Sequence, residues 1–182
     1  MPMQSPMDLF LHELGDIYDA EQRIAQILPQ LASESADPQA QQDYQTHLKE
    51  TQQQIQNLEQ VFQVLGAQPQ RETCAAIQGL KTEHDTFVKE NPSPDILTMF
   101  DLGAAAKTEH YEIASYTGLV EKCNLMGQQQ CAQLLQQNLQ QEQAMLQRVM
   151  RDGQQLGQQM IGQLGAGLGQ MNQPSPGAPI GP

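Results

Sequence analysis

Each half of this chain carries an apolar helix stripe with a glutamate set into it, and that pattern restricts the fold more than any other feature. From Phe10 the stripe runs through Leu14, Ile17, Glu21, Ile24, Leu28 and Leu31, alternating steps of four and three. Leu135, Leu139, Glu142, Leu146 and Val149 repeat the arrangement near the other end. Such spacing gathers every member on one helix face. A lone carboxylate in that face is costly, because desolvation opposes its charged form. Several at one depth also repel one another unless a cation lies among them. The pattern outlines a metal site inside a helix bundle.

Helix punctuation divides the chain. Ser5-Pro6, Asp37-Pro38 and Ser93-Pro94-Asp95 each place a capping residue before a proline, which predicts three helix starts. Helix A is expected from about Pro6 to Glu34, with Pro29 inside it, and helix B from about Pro38 to Leu65, closed by Gly66. Helix B has a seam of Tyr44, Leu48, Thr51, Ile55, Leu58, Phe62 and Leu65. The segment 67–92 is too long for a tight hairpin and has helical periodicity from Glu72 to Val88, so it reads as a crossover containing a short helix. Helix C follows from Pro94 to about Asn124, then Gly127, then helix D from about Gln128 to Met150. Two hairpins and one long crossover give an all-α, ferritin-like four-helix bundle over residues 1–152. Residues 153–182 form a Gly/Gln/Pro-rich tail. Its repeated glycines suit a disordered extension, while Leu156, Met160, Leu164, Leu168 and Met171 suit an amphipathic arm docking on another subunit.

Composition narrows the partners. Tryptophan is absent, aromatics are 4%, and glutamine, a good helix former, is the commonest residue, all of which oppose a β-fold. A formal charge of −12 argues against nucleic acid or an anionic membrane as partner, and no apolar run approaches a membrane span. Cys74, Cys123 and Cys131, odd in number and without a CxxC, fit the reducing cytoplasm.

Register arithmetic then aligns the carboxylates. If A and B turn near residue 36, Glu21 lies level with Thr51, beside Glu50; if C and D turn near 126, Glu109 lies level with Glu142. Glu112 shares a helix face with Glu109 and Tyr116, and His47 precedes Glu50 by one turn. Hard divalent iron or manganese takes carboxylate oxygen and some imidazole. Glu21, Glu50, Glu109, Glu112 and Glu142 are therefore candidate metal ligands, with His47 and His110 beside them. The simplest di-iron pattern has Glu-x-x-His on two helices, and both histidines are missing after Glu50 and Glu142. Each residue also has an ordinary reading. Glu21 and Glu142 could pair with basic residues, Glu50 and Glu112 could be solvated flanks, and His47 could cap or face water. His110 points about 100° away from Glu109. Tyr18, Tyr111 and Tyr116 read as core or boundary residues, and His12 and His84 as surface residues.

DLFLHELGDIYDAEQRI at Asp8–Ile24, HLKETQQQI at His47–Ile55, CAAIQGL at Cys74–Leu80 and AAAKTEHYEIASY at Ala104–Tyr116 resemble the ferritin-like YciE/YciF bacterial stress-protein family. The resemblance covers about residues 6–150. It implies a rubrerythrin-like four-helix fold, a homodimer or higher homo-oligomer, and a di-iron site whose acidic positions fall on Glu21, Glu50, Glu109, Glu112 and Glu142. Helix D departs from the family's more acidic pattern, reading Gln140-Gln141-Glu142. The expected function is a cytoplasmic di-metal carboxylate protein of stress response, holding two iron ions per bundle or manganese and coupling Fe(II) oxidation to removal of O2 or peroxide. The alternative is a metal-free or weakly metal-binding structural protein that assembles through its tail.

Overall fold

Proline opens three of the five helices in this computed structural model, which describes residues 3–171, with side chains through residue 162. Helix α1 (Pro6–Glu34) begins with a reciprocal cap: Ser5 Oγ accepts the Asp8 amide at 3.1 Å, and the Asp8 carboxylate accepts the Ser5 amide at 2.9 Å. Helix α2 (Pro38–Val64) is capped by Asp37, which accepts the amides of Gln39 and Ala40. Helix α4 (Pro94–Leu125) has Ser93 at the same position but without a side-chain capping bond. Helix α3 (Ala75–Val88) lies in the crossover, and α5 (Gln129–Met171) completes the set. Helix α1 continues unbroken through Pro29.

Two glycines close helices by one mechanism. Gly66 (φ 69°) and Gly127 (φ 71°) adopt the left-handed conformation after α2 and α4. Each sits in a paired return: Ala67 N–H to Phe62 O at 2.9 Å with Gly66 N–H to Gln63 O at 3.0 Å, and Gln128 N–H to Cys123 O at 2.8 Å with Gly127 N–H to Asn124 O at 3.2 Å. These bonds satisfy carbonyls left open at the helix ends.

Helices α1, α2, α5 and α4 pack in a ring, each against its neighbours, with α3 outside against α1 and α4. The Ala36 amide in the α1–α2 turn donates to Thr98 Oγ1 at 2.8 Å, so α4 starts at the end of the bundle where α1 finishes. The order is up, down, crossover, down, up, as in ferritin-like folds. The crossover is guided along α1. Glu72 N–H donates to Gly15 O at 3.1 Å, and Asp19 accepts Arg71 Nε at 2.7 Å and the Cys74 amide at 2.8 Å. Phe87 of α3 stacks on Phe100 of α4, their centroids 4.0 Å apart.

The predicted α1 seam is buried throughout, as are Leu135, Leu139, Glu142 and Val149 on α5, with Leu146 half-buried. On α2 the inward face is rotated from the expected one. Leu48, Ile55 and Leu65 are half-buried, while His47, Gln54, Asn57 and Val61 join Tyr44, Thr51, Leu58 and Phe62 inside. The sequence predicts that helix D ends near Met150 and that the bundle stops at residue 152; α5 instead continues without a break. Asp152 and Leu156 are buried, and Leu156 belongs to the apolar core. A Cβ on Gly157 would lie 3.1 Å from the Met99 methyl group, so α5 remains against α4 here. The physical reason is register: an antiparallel partner pairing Glu142 with Glu109 must reach about residue 160 to cover the start of α4. The side chains of Leu164, Leu168 and Met171, and all of 172–182, lie outside the described residues. No helix among the described residues is long and apolar enough to cross a membrane.

Candidate metal centre

Four helices of the ring each send a titratable side chain to one depth of the core. Glu21 comes from α1, His47 from α2, Glu109 and Glu112 from α4, and Glu142 from α5, and all five are at most 2% exposed. One donor atom from each of His47, Glu109, Glu112 and Glu142 lies within 4.8 Å of the others. His47 Nε2 is 3.4 Å from Glu109 Oε1 and 3.6 Å from Glu142 Oε2. Donors around one transition ion at about 2.1 Å stand at most about 4.2 Å apart, so contractions of about half an ångström would close this set.

The centre is under-bonded. Glu21 Oε2, Glu109 Oε2, both Glu112 oxygens, Glu142 Oε2 and His47 Nε2 have no hydrogen-bond partner. Buried polar atoms are normally paired. Burial pushes the Glu21, Glu109, Glu112 and Glu142 carboxyls above the ordinary range, and the charge of Glu142 raises the first three further. For Glu142 itself, the neighbouring His47 and the hydrogen bond from Gln54 oppose that rise.

Neutral donors hold the carboxylates in place. The Tyr116 hydroxyl donates to Glu21 Oε1, and Gln54 Nε2 donates to Glu142 Oε1. Asn138 Nδ2 donates to Tyr116 Oη at 3.1 Å and to Gln54 O at 3.3 Å, while Asn57 Nδ2 donates to Asn138 Oδ1 at 2.7 Å. These residues follow the centre's own helical spacing. Gln54 and Thr51 are seven and four residues after His47, and Asn138 is four before Glu142. A search for acidic residues alone passes over them.

Two predicted candidates lie elsewhere. Glu50 is half-buried at the edge, paired with Arg148, whose Nη1 donates to Oε1 at 3.3 Å. Burial would raise the Glu50 carboxyl, but His47 and Arg148 together bring it down to about 2. Its Oε2 stands 3.3 Å from His47 Nδ1, leaving Nε2 turned toward Glu109 and Glu142. Glu50 thus orients the imidazole, in the way carboxylates commonly support metal-binding histidines. His110 is exposed, because Glu109 and Glu112 take the inward face of α4 and the adjacent position points away.

A cavity of about 50 Å³ reaches His47 and Glu109 from the α1–α3–α4 side, lined mainly by apolar residues such as Ile24, Leu28, Ile77 and Leu80. That is room for one or two water-sized molecules, at about 30 Å³ each.

Comparison with known proteins agrees with this architecture. Residues 5–160 match the family model described as a domain of unknown function, DUF892. Protein YciF of Escherichia coli (strain K12) is 32% identical over 145 residues, spanning 79% of this chain and 87% of that protein. The crystal structure of the E. coli stress protein YciF matches with a TM-score of 0.78 at 29% identity, covering 86% of this chain and 99% of that one. YcfI of Rhodopseudomonas palustris, a suggested structural protein, matches with a TM-score of 0.78 at 37% identity, covering 80% and 93%. A Xanthomonas campestris pv. campestris protein shares the fold, with a TM-score of 0.68 at 21% identity over 87% of this chain and 98% of that one. With the family model spanning most of its length and a curated relative matched across most of both chains, the protein belongs to the DUF892 family, the YciE/YciF family that its motifs resemble.

Proposed function

We propose that this chain is a ferritin-like di-metal carboxylate protein of bacterial stress response. It holds two iron ions, or manganese, among Glu21, His47, Glu109, Glu112 and Glu142, and acts in the cytoplasm as a homodimer or higher homo-oligomer. The observation that carries this reading is the set of unpartnered donor atoms on five buried side chains from all four ring helices. Four carboxylates balance two divalent cations in charge, and an oxygen-rich set with one imidazole suits iron or manganese better than softer metals. The relative YciF is described as a stress protein, which supports the stress-response part of this reading.

Bound iron would supply redox chemistry with O2 or peroxide, coupling Fe(II) oxidation to oxidant removal. The protein's own residues prepare that chemistry. Tyr116 and Gln54 fix the rotamers of Glu21 and Glu142, leaving the second oxygen of each turned to the centre. Because burial raises these carboxyls, protons compete with metal for their oxygens. Ile17, Ile24, Leu135, Leu139 and Met145 exclude bulk water, and the cavity at His47 and Glu109 gives a small apolar oxidant a route inward.

A structural reading has its own support: the Tyr116–Glu21, Gln54–Glu142 and Asn57–Asn138 bonds organise the core without an ion, and YcfI carries a structural description. Thermal melting of chelated and iron-loaded protein separates the two. Iron at about 100 times its Kd should stabilise the fold by about 2.7 kcal/mol per site. That is a rise of roughly 5–10 °C for a chain of this size. Identical melting of both forms would leave the structural reading.

A further inference from the structure

A second polar cluster lies outside the core centre and shares no residue with it. His84 on α3, read from sequence as a surface residue, is 3% exposed. Its Nε2 stands 3.0 Å from Glu34 Oε2 at the end of α1 and 3.4 Å from Asp101 Oδ1 on α4. Donor atoms of the three residues all fall within 4.8 Å of one another. Asp101 is fully buried, and neither of its carboxylate oxygens has a hydrogen-bond partner. His84 Nδ1 lies 3.3 Å from Asp85 Oδ1, so the imidazole is held from behind by a carboxylate, itself paired with Lys81. Ile77 and His84 are the two fully buried side chains of α3, so His84 helps to seat the crossover helix together with Phe87 on Phe100.

We infer that Glu34, His84 and Asp101 form a second cation site, binding one divalent transition ion that clamps α3 to the adjoining ends of α1 and α4. Charge and geometry favour an ion over a simple ion pair. A direct contact of His84 with Glu34 and Asp101 Oδ1 leaves Asp101 Oδ2 bare in the core. A divalent ion balances both carboxylates and gives Asp101 a partner for each oxygen. One imidazole nitrogen with two carboxylates is a donor set for Zn²⁺, Mn²⁺ or Fe²⁺, water completing the shell. Glu34, 24% exposed at its side chain, gives the ion a way in.

Metal-freed full-length protein titrated with Zn²⁺, and separately with Co²⁺ followed by its visible bands, tests the inference. His84→Gln and Asp101→Asn should each bind one ion fewer than wild type and lose one set of cobalt bands, whereas Glu109→Gln retains that set. Asp85→Asn should keep the ion but bind it roughly ten- to a hundredfold more weakly, because it supports the imidazole without contacting metal. The retained bands in Glu109→Gln make the result independent of whether the core centre takes iron. If His84→Gln does not fold by circular dichroism, Asp101→Asn decides, since it removes a buried charge at nearly constant shape. Equal ion counts and unchanged cobalt bands in wild type and Asp101→Asn would overturn the inference.

Discussion

The metal-free chain should lose stability as pH rises through neutrality, and Glu112→Gln should weaken that dependence. Glu21, Glu109, Glu112 and Glu142 are held above the ordinary carboxyl range by burial and by one another's charge. The folded chain therefore keeps protons that the unfolded chain has already released. Stability from these groups is complete below the unfolded pKa of about 4.3 and is lost as pH climbs through the folded values. Each proton retained only by the folded state contributes a slope of about 1.4 kcal/mol per pH unit. Glu112 is the most direct target, being fully buried with neither oxygen paired. Glutamine cannot ionise, so the variant should show a shallower slope, by at most about 1.4 kcal/mol per unit, and gain on wild type as pH rises. Against a typical domain stability of about 5–15 kcal/mol, that gain is readily measured. Asp101, pushed up to about 7 by burial, adds to the slope in both proteins and cancels in the difference. Glu50, at about 2, acts oppositely: its stabilisation is present above the ordinary carboxyl range and lost only in acid. Urea unfolding followed by circular dichroism, with chelator present, between about pH 5 and pH 8 reads the slopes. Wild-type stability that stays flat or rises over that window, or an equal slope in Glu112→Gln, would refute the reasoning.

Leu156→Ala should destabilise the bundle by about 2 kcal/mol in urea unfolding, because Leu156 is core despite lying in the glycine-rich segment. Removing residues 163–182 should instead leave melting unchanged and lower particle mass in light scattering, as expected of an assembly arm; unchanged mass would show a free extension. Gly15→Ala should cost about 1–3 kcal/mol even though alanine is the better helix former, since its Cβ would meet Gln70 O and Glu72 Cγ at 2.9 Å. Stopped-flow oxidation of added Fe(II) should run faster with wild type than with Glu21→Gln, and equal rates would leave no catalytic role for the centre.

Much of the fold was legible because local signals agree with one another. Proline with its capping residue marks the starts of α1, α2 and α4, glycine marks the ends of α2 and α4, and the heptad seam of α1 is the buried face. The α2 face was harder. Its inward positions include His47, Gln54 and Asn57, polar residues that a hydrophobic pattern assigns to water, so the expected face is rotated by a fraction of a turn while Tyr44, Thr51, Leu58 and Phe62 stay inside. The end of α5 was obscured by glycine: Gly153 and Gly157 weaken helix propensity, but packing against Leu102 and Met99 of α4 overrides it. At the site, register predicts a common depth for Glu21, Glu109 and Glu142, with Glu112 on the face of Glu109, because depth follows from turn position and rise per residue, and all four are buried. Rotation about the helix axis is more sensitive, so His110 and Glu50 were grouped with residues they do not join. Long-range partners were not legible at all, which is why Arg148 at Glu50 and His84 between Glu34 and Asp101 appear only in three dimensions.

The central claim is that the core carboxylates exist to hold metal, and elemental analysis of protein purified under iron-replete conditions tests it most directly. Wild type should carry about two ions of iron or manganese in the core, and a Glu109→Gln/Glu142→Gln variant of unchanged helicity should lose them. Wild-type protein carrying well below about one ion per chain, or a variant retaining the wild-type count, would contradict the claim.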